Sequence, residues 1–285
     1  MDKVQIGVIG GSGIYEIEGM TDVKEVKIST PFGDPSDAII VGTLSGKRVA
    51  FLSRHGRGHR IMPTEVNSRA NIYALKSLGV EKIIAFSAVG SMKEEIRPRD
   101  MVIPDQLFDR TKTRVPTFYG NGLVAHVQFA DPYCDDMRKV LYESGKKLGI
   151  PMHYGGTYVC IEGPQFSTRA ESRIYRSWGV DVIGMTNLPE SKLAREAEIC
   201  FATVALATDY DVWHEEDVSV ETVVANVNAN VQNSKNLIKE ALLHLSAGDR
   251  QCKCATSLRG SIMTDLKLIP AETRKKVELL IGKYL

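Results

Sequence analysis

The sequence predicts an α/β fold built on a largely parallel sheet, in one domain spanning residues 1–285. Three observations point to it. Short apolar runs alternate along the chain with stretches of helical spacing. No internal repeat, low-complexity segment or linker divides them. The best-marked run, within CFATVALATDYDVW at 200–213, is compact and partly β-branched, as a buried strand should be, and it closes on Asp209 and Asp211.

The elements follow in order. Residues 4–9 make a first strand, cut off by Gly10-Gly11-Ser12-Gly13. Residues 37–41 and 48–52 make two more, with GTLSGK between them as a hairpin-like turn. A helical pattern occupies 63–78, and strands follow at 82–86 and 101–104. Helical spacing returns at 135–148, 169–178 and 189–198, alternating with strands at 156–161, 180–184 and 201–208. Ser219 is placed to cap a long helix reaching about residue 245, in which Val220, Val223, Val224, Val227 and Val231 keep helical spacing. A last helix follows Pro270, a residue suited to a first helical position.

Composition excludes several classes. With 285 residues, 43% of them apolar, the chain can bury a large core. Lys+Arg total 36 against 35 Asp+Glu, and a net charge of +1 removes the electrostatic footprint of a general nucleic-acid binder. No apolar run approaches the roughly 18 residues that span a bilayer. The opening MDKVQIGVIGGSG lacks the basic leader and uncut apolar run of a signal peptide. A soluble cytoplasmic protein is expected. The cysteines are Cys134, Cys160, Cys200, Cys252 and Cys254, an odd set that argues against a secreted disulfide scaffold. Zinc at Cys252-Lys253-Cys254 would need partners that no CxxC or HxxxH supplies, so reduced thiols are expected and a redox pair stays open.

In α/β folds ligands gather beyond the carboxyl ends of strands, so the strand ends carry the functional signal. Gly10-Gly11-Ser12-Gly13 can bring backbone amides and a hydroxyl to an anion, or can simply be a tight turn. It is not GxGxxG, which disfavours a dinucleotide oxidoreductase. After the third strand, SRHGRGHR at 53–60 sets Arg54 and His55 among glycines, suited to an oxyanion held by an arginine fork. Ser87-Ala88-Val89-Gly90-Ser91 is another small, hydroxyl-bearing strand end. Together these loops suggest a site for phosphate or a similar oxyanion. Asp209 and Asp211, two apart, reach into one space if strand geometry persists.

Set side by side, these blocks resemble a known family. GVIGGSGIY, SRHGRGHRIMPTEVNSRANI, SAVGSMKEEIRPRDMVIPDQ, IEGPQFSTRAES, MTNLPESKLAREAEI and ATDYDVW are similar in order and content to the 5'-methylthioadenosine phosphorylases of the trimeric purine nucleoside phosphorylase superfamily. The likeness covers residues 7–245; the tail at 246–285 matches less clearly. It implies a nucleoside-phosphorylase-like fold, with a mixed, largely parallel sheet flanked by helices.

It also implies a site. Ser12, Arg54, His55, Ser87, Ala88 and Thr186 stand where the family binds inorganic phosphate. Met185 matches the methionine under the ribose, and Phe166 the aromatic packed on the purine. Asp209 and Asp211 match the acids that read adenine. Val220 and Val223 line the 5' pocket, to which a neighbouring subunit lends His126. A homo-oligomer, trimer or hexamer, is thereby implied. The reaction would be phosphorolysis of methylthioadenosine, with adenosine open as a second substrate, to adenine and a sugar 1-phosphate, with Asp209 as acid at N7 and Asp211 accepting from the 6-amino group. Phosphate is a co-substrate, and neither metal nor organic cofactor is required. The CxC at 252–254 resembles one that is oxidised in some thermophilic members; if Cys134 and Cys200 also pair, the protein would carry intracellular disulfides. A 6-oxopurine or methylthioinosine phosphorylase, a water-using nucleosidase and a non-catalytic nucleotide-binding module remain rivals.

Overall fold

A computed structural model describes residues 3–11, 13–14, 17–214, 219–245 and 250–285. Its strands are β1 (Ile6–Gly10), β2 (Thr21–Val26), β3 (Ile39–Leu44), β4 (Lys47–Ser53), β5 (Lys82–Ser91), β6 (Met101–Ile103), β7 (Gln106–Arg110), β8 (Met152–Tyr154), β9 (Thr157–Ile161), β10 (Val182–Gly184) and β11 (Cys200–Asp209). The helices are α1 (Ser68–Ser77), α2 (Asp135–Lys147), α3 (Arg169–Ser177), α4 (Glu190–Glu196), α5 (Val220–His244) and α6 (Ala271–Ile281).

All eleven strands join one mixed sheet in the order β2-β3-β4-β1-β5-β10-β9-β7, from which β11, β6 and β8 branch beside β5. The predicted largely parallel α/β sheet is therefore observed, with antiparallel pairs at β2–β3, β3–β4, β5–β10 and β6–β11. The branch point is β5. Its length pairs in parallel with β11, while Gly90 and Ser91 pair with β10. Residues 87–91, read as a loop from their small side chains, are thus strand. Pairing with β11 through Gly90 and with β10 at Gly90 and Ser91 overrides the weak β-propensity of glycine and alanine.

Along β11 successive residues face opposite sides. Phe201 joins a core with Ile72 and Leu75 of α1 and Leu193 of α4. Ala202, Val204 and Leu206 join another with Met137 and Leu141 of α2 and Leu237 and Ile238 of α5. Burial on both faces is why this strand reads as an unbroken apolar run. The tail also enters the core: Val277, Leu280 and Ile281 of α6 pack with Leu258 and Phe118.

Boundaries follow local chemistry. The helix predicted from 63 begins at Ser68, because the Asn67 side chain accepts from the Ala70 N–H and caps it there. Ser219 does cap α5, accepting from the Thr222 N–H. GTLSGK is a tight hairpin turn in which Ser45 and Gly46 both take positive φ (48° and 73°), as a two-residue hairpin loop requires. Unanticipated are β2, almost wholly exposed, and the short β7 and β8. Among the described residues no helix is long and apolar enough to cross a membrane.

Candidate active site

A cavity of about 590 Å³ opens where the ends of β1, β4, β5, β10 and β11 meet the start of α5. Arg54, His55, Ser87, Ala88, Phe166, Met185, Thr186, Asp209, Asp211, Val220 and Val223 all line it. Ser12 lies outside the described residues. His126 is not on this wall; it is exposed elsewhere, and its backbone N–H donates to the Ser261 carbonyl.

One end of the cavity is rich in donors. The Arg54 N–H donates to the Gly10 carbonyl at 3.0 Å, tying the turn after β4 to the end of β1. Its buried guanidinium donates through Nε and Nη2 to Glu190 Oε1 and Oε2 (2.6 and 3.0 Å) and through Nη1 to the Phe86 carbonyl (2.7 Å). The arginine fork expected to grip an anion therefore grips Glu190, and the guanidinium's further N–H donors remain for the cavity. Burial opposes the Arg54 charge, but the Glu190 carboxylate more than restores it. Glu190, at the start of α4 and 1% exposed, was not singled out from sequence. An acid beside proline at a helix start reads as ordinary capping chemistry.

His55 Nδ1 lies 2.9 Å from the Ile61 carbonyl oxygen. A carbonyl only accepts, so Nδ1 carries the proton and Nε2 is left as an acceptor. Burial first, and the Arg54 charge second, lower its pKa to about 4, so the ring is neutral near pH 7. On β5, Ser87 Oγ accepts from Thr186 Oγ1 at 2.8 Å and lies 2.9 Å from the Tyr158 hydroxyl. With both neighbours donating, the Ser87 proton can turn toward a ligand. Tyr158, fully buried on β9, is a second residue that sequence reading missed; it sits inside an apolar strand run.

The opposite end is rich in acceptors. Strand geometry does not persist from Asp209 to Asp211: β11 ends at Asp209, and Asp211 takes a positive φ of 52° at the head of a short 3-10 turn. That turn, rather than side-chain alternation, brings both acids to the cavity. The Asp211 N–H donates to Asp209 Oδ1 at 2.8 Å. Gly90 makes room for them, since a Cβ there would lie 3.0 Å from Asp209 Oδ1 and 3.2 Å from Asp211 Cβ. Burial raises the pKa of both carboxyls. The Asp209 charge further raises Asp211, while hydrogen bonds from Thr208 and the Asp211 backbone offset part of the rise that burial imposes on Asp209.

Thr208 Oγ1 lies 2.7 Å from Asp209 Oδ2 and 3.1 Å from the Val89 carbonyl. Its single proton serves one or the other. With Asp209 protonated, the acid donates to Thr208 and Thr208 donates to Val89; with Asp209 ionised, Thr208 turns to the carboxylate. Both protonation states are accommodated. The Asp211 carboxyl lines the cavity as well, with Ser167 Oγ 3.5 Å from its Oδ1, while its Oδ2 is buried without a close hydrogen-bond partner among the described residues.

Two loops close the walls. Phe166, 46% exposed, stands on the cavity beside the buried Ser167. Arg114 holds this wall: it donates to Glu162 Oε1, to the Met185 and Leu188 carbonyls, and to the Ile161 and Glu162 carbonyls. Nothing in the sequence marks Arg114, since its partners are mostly backbone. Across from it, Val220, Val223, Val224 and Val227 of α5 form an apolar face. Asn226 fastens that helix to β11 through the Thr208 carbonyl, at 2.6 Å.

Residues 5–243 match the model of the phosphorylase superfamily. S-methyl-5'-thioadenosine phosphorylase of Geobacter sulfurreducens is 58% identical, with all of both chains covered. The chain belongs to this family. A methylthioadenosine phosphorylase from an antarctic soil metagenomic library shares the fold at a TM-score of 0.94 and 48% identity, over 98% of this chain and 99% of that one. A mutant adenosine/methylthioadenosine phosphorylase of Schistosoma mansoni, solved with methylthioadenosine, aligns at a TM-score of 0.79 and 36% identity, over 87% of this chain and 93% of that one. The expected family and fold are therefore observed, in a superfamily of phosphate-using enzymes.

Proposed function

We propose that the chain catalyses phosphorolysis of 5'-methylthioadenosine, giving adenine and 5-methylthioribose 1-phosphate. The observation that carries this is the polarity of one cavity. Arg54, Ser87 and Thr186 offer donors at one end, and the paired carboxyls of Asp209 and Asp211 stand at the other.

Phosphate binds at the donor end, on Arg54, His55, Ser87, Ala88 and Thr186, with Ser12 contributing from the glycine turn. Its oxygens lie on the side of the ribose from which C1' is attacked, so phosphate is nucleophile and counter-charge at once. Positioning and electrostatics supply most of the rate. The neutral His55 accepts through Nε2 from a protonated phosphate oxygen. Adenine packs on Phe166 and the sugar on Met185. Asp209, its carboxyl raised by burial, protonates N7 as the glycosidic bond breaks. Asp211, on the same wall, accepts from the 6-amino group. A 6-oxopurine would set oxygen against that acceptor, and buried mismatches of this kind discriminate strongly.

The valine face of α5 receives the 5' methylthio group. His126 serves the cavity of a neighbouring copy in a trimer or a pair of trimers, since its own cavity does not include it. No organic cofactor takes part in the reaction, which runs in the cytoplasm on a single domain per chain. Adenine release from methylthioadenosine, with and without inorganic phosphate and with inosine in parallel, tests the whole reading. Phosphate-dependent release with inosine inert is expected. Release without phosphate would make the enzyme a nucleosidase, and turnover of inosine alone would overturn the reading of the two acids.

A further inference from the structure

Cys134, Cys200, Cys252 and Cys254 come from three distant parts of the sequence and meet in one cluster, and none of them lines the cavity. Their four Sγ atoms all lie within 4.8 Å of one another. Three of the residues are buried and Cys252 is half-buried. The partners that the CxC lacks in its own stretch of sequence sit at the start of α2 and the start of β11.

The geometry points to a structural zinc site with four cysteine ligands. Zinc holds thiolates at about 2.3 Å in a tetrahedron, whose edges are then about 3.8 Å. Four sulfurs mutually within 4.8 Å match that arrangement after small adjustment. Two disulfides would need only pairwise approach. Here Cys200 Sγ lies 3.3 Å from Cys252 Sγ, a contact that runs between a Cys134–Cys200 pair and a Cys252–Cys254 pair rather than within either. Cys134 occupies the N-cap position of α2 with no side-chain cap bond, so its sulfur has no competing local role there. Cys252, the partly exposed member, gives the ion a way in. On binding, the four thiols release their protons to solvent and the cation is held by four thiolates; no oxidant is needed.

Such a site fastens the short turn Lys253–Thr256 to the first residue of β11 and the N-cap of α2. It anchors the tail and is independent of the proposed reaction. The test uses the full chain, made in zinc-supplemented cells and purified with reductant and without chelator. Elemental analysis should find about one zinc per chain. Cys200→Ser and Cys254→Ser should lose it, and Cys160→Ser, a buried cysteine outside the cluster, should keep it. If the cluster variants do not fold, cobalt exchange into the unaltered chain decides instead: thiolate-to-cobalt charge transfer with tetrahedral ligand-field bands is expected. A metal-free protein whose cluster thiols alkylate freely, or an intact mass showing disulfides among them, overturns the proposal.

Discussion

The two ends of the cavity are built in opposite ways. At the donor end, charge is already balanced: the Arg54 guanidinium is locked by a bidentate Glu190 and a backbone carbonyl, and Ser87 is set between Thr186 and Tyr158. At the acceptor end, balance is withheld: a half-buried and a buried carboxyl lie side by side, joined through the Asp211 N–H and with no cation between them among the described residues. On the function proposed above, the anion to be positioned meets a cradle of fixed hydrogen bonds, and the base to be recognised and protonated meets the two acids. The substitutions below separate these two strategies.

The largest effect is expected at the locked end. Arg54→Met leaves Glu190 as a buried, uncompensated charge, which costs about 3–5 kcal/mol of stability. It should also lower kcat/KM for phosphate by about 10³-fold. Replacing both Arg54 and Glu190 with Met should recover most of the stability and none of the activity, as read by chemical denaturation and phosphate saturation curves. If the single variant were as stable as the parent with an unchanged KM for phosphate, the pair would have neither role.

Asp209→Asn probes the other end. Loss of the proton donor should lower kcat on methylthioadenosine about 10²–10⁴-fold, with KM for phosphate hardly moved. An acid works protonated, and burial raises this carboxyl, so the parent rate should fall as pH rises through that raised value. The variant should lack that limb. Asp211 is unchanged and would still set an acceptor against a 6-oxo group, so inosine should stay inert. A pH profile identical to the parent's would assign the proton to another group.

The difference between the ends also explains what the sequence disclosed. Donor loops after strands are local features, so SRHGRGHR and the β5 segment drew attention from residue types alone. The acids stood out because β11 is buried on both faces and ends abruptly in charge. What stayed hidden was non-local. Glu190 meets Arg54 across 136 positions, Arg114 acts through backbone carbonyls, and Tyr158 hides in an apolar run. The extension of β5 through Gly90 depends on β10 and β11 as edge partners, which no window of small residues announces. The four cysteines likewise met only in the fold.

A smaller effect is expected on the apolar wall between the ends. Val223 on α5 faces the proposed 5' group. Val223→Thr keeps the shape and adds a hydroxyl, so the preference for methylthioadenosine over adenosine should fall about tenfold, a shift of the size apolar pockets control. Equal kcat/KM ratios before and after would place the 5' substituent elsewhere.

The smallest prediction sharpens the donor end itself. If Tyr158 and Thr186 both donate to Ser87 Oγ, they fix the direction of its single proton toward phosphate. Tyr158→Phe removes one of those donors and leaves Ser87 able to turn to other acceptors, such as the Ala88 carbonyl 3.3 Å away. A hydrogen bond of about 1 kcal/mol corresponds to about a fivefold rise in KM for phosphate. The acids at the far end are untouched, so kcat and the pH limb assigned to Asp209 should stay as they are. A fall in kcat with KM unchanged would mean that the buried hydroxyl chain acts on the transition state and not on the cradle, and the division between a positioning end and a protonating end would have to be redrawn.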